Sequence, residues 1–226
     1  MAPVGIVVVS HSSAIAEGVV ELARQMAPST TLVAAGGTDE GGLGTSFAKV
    51  TDALAAADSG DGVVVLCDLG SAILTAETAV DFLDDDDAAR VVIADAPIVE
   101  GSVAASVAAE TGGSLEDVAS AARSATGVAD THADERPLRG GDVVERSAVL
   151  VNDSGLHARP AADLVTHAST FQADVTVNGV DAKSLLRIMG LALGKGATVS
   201  VMATGPDAAA AVDDLVELIE GGFGEA

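Results

Sequence analysis

The chain has 226 residues and four histidines, and two of these stand where a short aliphatic run gives way to helical spacing. In "VVVSHSSAIAEG", residues 7–18, a β-branched run ends on Ser10 and His11. Apolar positions then recur at helical intervals over residues 14–26. His11 therefore lies where a strand hands over to a helix, which in an open parallel sheet is the crevice where ligands and chemistry are found. In "NDSGLHARPAADLV", residues 152–165, a strand ends in a glycine-bearing turn, His157 opens a helix, and Arg159 and Pro160 fall in its first turn. Proline is tolerated there because first-turn N–H groups have no intrahelical partner. Those N–H groups and the positive end of the helix favour an anion, and the Arg159 guanidinium adds a fork suited to phosphate. A neutral imidazole at such a place can take a phosphoryl group, since the added charge meets donors already in position. The same residues also read as a histidine capping its own helix beside an ordinary surface arginine.

The elements that must position these side chains fall into two patterns. Residues 1–125 alternate strands (4–9, 31–35, 62–67 and 91–94) with helices, two of them at 104–110 and 115–123. This order predicts an α/β domain with a parallel sheet covered on both faces. Residues 126–145 lack a sustained apolar period and carry Pro137 and Gly140-Gly141, which reads as a linker. From residue 146 the order changes to strands at 148–151, 173–177 and 197–203, a helix after His157, a short helix after Lys183 and a helix at 207–220. Six elements in so short a stretch predict an α+β domain with helices over one face of an antiparallel sheet. The acidic run at 84–87 reads as a solvated loop.

Composition narrows the function classes. Acidic residues outnumber basic ones 34 to 11, a formal charge of −23, which argues against nucleic acid, because phosphate-backbone binding needs cations to displace counterions. The same field disfavours anionic membrane surfaces. Acidic residues spread along the chain, with only three lysines, resemble proteins adapted to high salt, where screening relieves carboxylate repulsion; an ordinary acidic cytosolic protein is the other reading. Cys67 is the only cysteine and reads as a small buried residue. No basic leader is seen and no apolar run approaches the roughly 20 residues needed to span a bilayer, so the expectation is a cytoplasmic protein. No Cys/His cluster has metal-ligand spacing. His132 reads as a solvated linker residue and His167 as a surface residue of its helix.

Two resemblances bring these observations together. "SGLHARPAA", "AKSLL" at 182–186 and the closing "VELIEGGFGE" resemble HPr, the histidine-containing phosphocarrier of the bacterial phosphotransferase system, over residues 146–226. That resemblance implies an open-faced sandwich in which His157 accepts phosphate on Nδ1 and Arg159 stabilises it. Ser184 falls where some HPr proteins carry a regulatory serine; it also reads as the N-cap of the short helix that follows. "AAGGTDEGGLGTS" at 34–46, "CDLGSAILTAETA" at 67–79 and "APIVEGSVAA" at 96–105 make residues 1–125 similar to the DhaM family, the phosphoryl-carrying subunits of phosphoenolpyruvate-dependent dihydroxyacetone kinase, whose fold is that of the mannose-type IIA domains. In that family the histidine after the first strand carries phosphate on Nε2, which implies His11. Asp68, ending the third strand, then reads as the acceptor of the His11 Nδ1 proton, fixing the tautomer that leaves Nε2 nucleophilic; on spacing alone an Asp there is more often a cap or turn former, and the resemblance reverses that reading. Glycines around Thr45-Ser46 and Gly70-Ser71 allow backbone N–H groups to approach a phosphate, so Thr45 and Ser71 join the candidate site.

The resemblance implies a transferase whose own histidines carry the phosphoryl group covalently, with no bound cofactor. Enzyme I charges His157, His157 passes phosphate to His11, and His11 serves a separate ADP-binding subunit that acts on dihydroxyacetone. Longer relatives continue into an enzyme-I-like segment beyond the point where this sequence ends, so a separate enzyme I is expected, together with a homodimer through the N-terminal domain. Other readings are a regulatory phosphocarrier and a IIA component for a mannose-type sugar. A nucleotide-binding α/β protein is disfavoured because no G-x-G-x-x-G or Walker A string follows the first strand. If the charge of −23 is an adaptation to salt, the thermal unfolding midpoint rises between low and molar salt as repulsion is screened; equal midpoints exclude that reading.

Overall fold

The computed structural model describes residues 4–126, 143–153 and 155–224. His132, Pro137 and Gly140-Gly141 lie outside them. The chain divides near residue 130 into two compact units.

The first unit runs β1 (Gly5–Ser10), α1 (Ser13–Arg24), β2 (Leu32–Gly36), α2 (Phe47–Ala57), β3 (Val63–Cys67), α3 (Gly70–Asp81), α4 (Asp85–Ala88), β4 (Val91–Ala94), α5 (Ile98–Glu110) and α6 (Leu115–Arg123). The four strands are parallel in the order β2-β1-β3-β4. Every residue of β1 and β3 is buried, as expected for central strands with helices on both faces. Alternation along the strands splits the core. Val7, Val9, Val63, Val65 and Cys67 pack with the alanines of α2 and α3, while Leu66 meets the backbone of α5 at Gly101 on the other face. Two expectations need correction. The 84–87 run is not a loop: Asp85–Ala88 form one helical turn, with Asp87 paired to Arg90 at 2.7 Å, because acids in a first turn suit the positive helix end. The fifth helix begins at Ile98 rather than 104; Pro97 before it marks the start, and the unbroken burial of Gly101 to Val107 erased the amphipathic signal.

The second unit comprises β5 (Val144–Val149), α7 (Ala158–Ser169), β6 (Asp174–Val177), β7 (Val180–Asp181), α8 (Leu185–Gly190), β8 (Thr198–Thr204) and α9 (Ala208–Glu220). Its sheet is antiparallel in the order β5-β8-β6-β7. Val175, Val177, Val199, Val201 and Ala203 bury one face together with Leu164, Val165, Leu215 and Ile219 of the helices. The strand expected at 148–151 starts four residues earlier, so Val144 and Glu145, expected in the linker, pair with Ala203 and Met202. The exposed residues Glu145 and Ser147 of this edge strand hid the period. The short β7 was not expected; Asn178-Gly179, both at positive φ, form the two-residue turn that creates it.

Glycine is required where β2 meets the start of α1: a Cβ on Gly36 would lie 2.6 Å from Ser12 O and Ser13 Cα. Gly36→Ala is expected to destabilise the first unit by about 1–3 kcal/mol through overpacking. Gly18 lies exposed in α1 with open space around it, and Gly18→Ala is expected to add about 0.5–1 kcal/mol. Urea unfolding followed by amide NMR signals of the first unit checks both signs.

Candidate functional site

The sheet order decides what His11 faces. Chain progression reverses at β1 and β3, so the crevice beyond their carboxyl ends is the topological switch point. His11 follows β1 and Asp68 follows β3. The Asp68 carboxylate accepts four hydrogen bonds: from His11 Nδ1 (2.8 Å) and Leu69 N (2.7 Å) on Oδ1, and from Ser10 Oγ (2.8 Å) and His11 N (2.9 Å) on Oδ2. Burial works to raise the Asp68 carboxyl, and these donors outweigh it, led by the His11 N–H and ring, holding it below the usual carboxylate range. An ionised carboxylate only accepts, so the proton at that contact sits on Nδ1 and the neutral ring presents its lone pair at Nε2.

Nε2 is 2.5 Å from Ser71 Oγ, and Ser71 stands in the first turn of α3. Ala72 N and Ile73 N both bond to Leu69 O, while the earlier N–H groups of the helix are the ones an anion beside Ser71 would meet. Thr45 does not reach the imidazole through a hydrogen bond; its hydroxyl bonds Thr75 Oγ1 at 2.8 Å, and Thr75 donates to Ser71 O. Gly44 N donates to His11 O at 2.9 Å. Ser10 is a site residue that sequence reading missed. Its signal was a lone hydroxyl ending an otherwise aliphatic strand, and it is fully buried with its Oγ on Asp68. Cys67 is not a nucleophile: burial first, then the charges of Asp68 and Glu77, push its thiol up to about 12.

His157 occupies the N-cap of α7 in an extended conformation and is exposed, as is Arg159 two residues on. The loop before it is tightly built. Gly155 has φ +64°, and a Cβ there would lie 2.3 Å from Leu193 O. Its carbonyl accepts from buried Asn152 Nδ2 at 2.7 Å and from His157 N at 3.0 Å, while Leu156 N bonds Leu193 O at 2.8 Å. The imidazole thus projects from a pinned turn at a helix N-terminus. Ser184 occupies the N-cap position of α8 but makes no side-chain cap hydrogen bond. His167 is half-exposed and ties α7 to α9 through Asp214 Oδ2 at 2.7 Å. Among the described residues no cluster of His, Cys, Asp and Glu is arranged to hold a metal ion, and no helix is long and apolar enough to cross a membrane.

Known proteins with these features are recognisable by sequence. Residues 5–119 match the family model described as "PTS system fructose IIA component", and residues 144–221 match "PTS HPr component phosphorylation site". The PEP-dependent dihydroxyacetone kinase phosphoryl donor subunit DhaM of Escherichia coli is 38% identical over 98% of this chain and 51% of its own length. A DhaM of Listeria innocua is 41% identical over 46% of this chain and 84% of its own, and the phosphocarrier protein HPr of Vibrio cholerae is 44% identical over 34% of this chain and 94% of its own. The chain spans about half the length of the longer curated relatives it matches. A IIA-type match is followed by an HPr-type match along this chain, with His11 after β1 in the first and His157 opening α7 in the second, and the chain belongs to the DhaM family.

Proposed function

We propose that the chain is a phosphohistidine relay that receives phosphate from enzyme I on His157, passes it to His11 and delivers it to the ADP-binding subunit of a dihydroxyacetone kinase. The observation that carries this reading is the His11 imidazole held through Nδ1 by Asp68 with Nε2 directed at Ser71 on the first turn of α3. The DhaM relatives are phosphoryl donor subunits of PEP-dependent dihydroxyacetone kinase, which supplies the substrate class.

In the relay the P–N bond at His157 Nδ1 breaks as the bond to His11 Nε2 forms. The His11 ring keeps its Nδ1 proton, so the phosphorylated ring gains formal positive charge, which the Asp68 carboxylate opposes at 2.8 Å. Ser71 Oγ turns its hydrogen from Nε2 to a phosphoryl oxygen, and the α3 N-terminus meets the negative charge. In the last step a terminal phosphate oxygen of ADP attacks the same phosphorus and His11 returns to the neutral tautomer. At the other histidine, Arg159 offers charge-assisted donors to the transferring group.

Three outcomes test this. With phosphoenolpyruvate and enzyme I as the source, His11→Ala traps label on His157, whereas His157→Ala leaves both histidines unlabelled; label on His11 in the latter protein overturns the order. Asp68→Asn slows His11 phosphorylation about a hundredfold or more by releasing the tautomer, with His157 labelling unchanged. Arg159→Ala slows charging of His157 roughly tenfold to a hundredfold, the worth of one charge-assisted contact, while back-transfer to His11 from a phosphorylated acceptor proceeds at the parent rate.

A further inference from the structure

Ser46 is the N-cap of α2 and accepts from Lys49 N at 3.1 Å, which puts Lys49 in the first helical turn. That is the third position of a helix, where a capping box places Glu or Gln and where the helix dipole disfavours a cation. The chain has 34 acidic residues and only three lysines, so a cation at this end breaks a local rule the composition makes easy to satisfy. The structure shows what the side chain does instead. Its half-buried ammonium donates to Gly36 O at 3.0 Å and Thr38 O at 2.8 Å, folding back over the start of the glycine-rich segment 37–46. The far end of that segment is pinned through Ser46 Oγ, which donates to Asp39. Between the two pins the loop makes its contacts with the site: Gly44 N on His11 O, and Thr45 on Thr75, whose hydroxyl reaches Ser71 O. The loop therefore bonds the His11 backbone directly and reaches the Ser71 carbonyl only through Thr75.

We propose that Lys49 is a positioning residue for phosphoryl transfer at His11, acting through the 37–46 loop to hold the His11 backbone and the first turn of α3 in register. The proposal rests on the reading of His11 as a phosphoryl carrier. An ammonium suits the task because its three donors on a flexible stem can hold two carbonyls that diverge. An aliphatic residue at 49 removes the Lys49 donor from Gly36 O and leaves Thr38 O with Gly41 N, which frees the loop to leave His11. Misplacement on the scale of an ångström costs one to two orders of magnitude in transfer rate.

The experiment uses the full chain, radiolabelled phosphoenolpyruvate and enzyme I, with label mapped separately to His11 and His157, and amide hydrogen exchange read at Gly44. Lys49→Met is expected to slow labelling of His11 about tenfold or more, to leave His157 labelling unchanged, and to abolish protection of the Gly44 N–H. Lys49→Arg, which restores a charged donor within reach of the carbonyls, recovers most of the rate and the protection. The proposal is overturned if Lys49→Met labels His11 at the parent rate, if it slows both histidines equally, or if Lys49→Arg behaves as Lys49→Met does. Absence of label on His11 in the parent protein would defeat the carrier reading instead. Gly44 protection then decides the loop clamp alone: loss in Lys49→Met upholds it and retention overturns it.

Discussion

The Asp68 carboxylate gathers the first unit around one point. Four donors from Ser10, His11 and Leu69 converge on its two oxygens, so the ends of β1 and β3 and the start of α3 share a single anion. A carboxylate so solvated by protein groups stays ionised in a partly buried place. From that ionisation follow the proton on Nδ1, the open lone pair on Nε2, and the orientation of the ring toward Ser71. Ser10 contributes as well, since with the His11 N–H it satisfies the oxygen turned away from the ring.

The core that brings these strand ends together is made of small side chains. There is no tryptophan or tyrosine and only four phenylalanines, and β1 and β3 bury valines on both faces against alanines of α2, α3 and α5. Small residues let helices approach the sheet closely, and Gly36 takes this to its limit by packing its backbone on Ser12 and Ser13. Close packing of this kind transmits displacement rather than absorbing it. The positions of His11 and of the 37–46 loop are thus set by backbone contacts as well as by side chains.

The two histidines are held by different physics. His11 is partly buried, and a carboxylate orients its ring. His157 is exposed at a helix N-terminus, and its position comes from the pinned turn behind it, where Gly155 admits no side chain against Leu193 and Asn152 binds the Gly155 carbonyl. One site orients the ring; the other orients the backbone and leaves the ring accessible.

Sequence alone determined the two-part architecture, the parallel and antiparallel sheets and the candidate histidines, because aliphatic runs, helical periods and the Gly-Leu-His-Ala-Arg-Pro string are local signals. Boundaries failed where burial removed periodicity, as in α5, or where an edge strand lacked it, as in β5. On spacing alone Asp68 read more readily as a cap or turn former, and only the family resemblance made it the partner of His11. Its pairing with His11 spans 57 positions and exists because β1 and β3 lie side by side at the point where strand order reverses. Ser10 and Lys49 carried no motif at all. A buried hydroxyl and a lysine in a first helical turn acquire meaning only when the fold shows which oxygen each one meets, since hydrogen-bond partners distant in sequence are chosen by strand order and helix placement and leave no period to read.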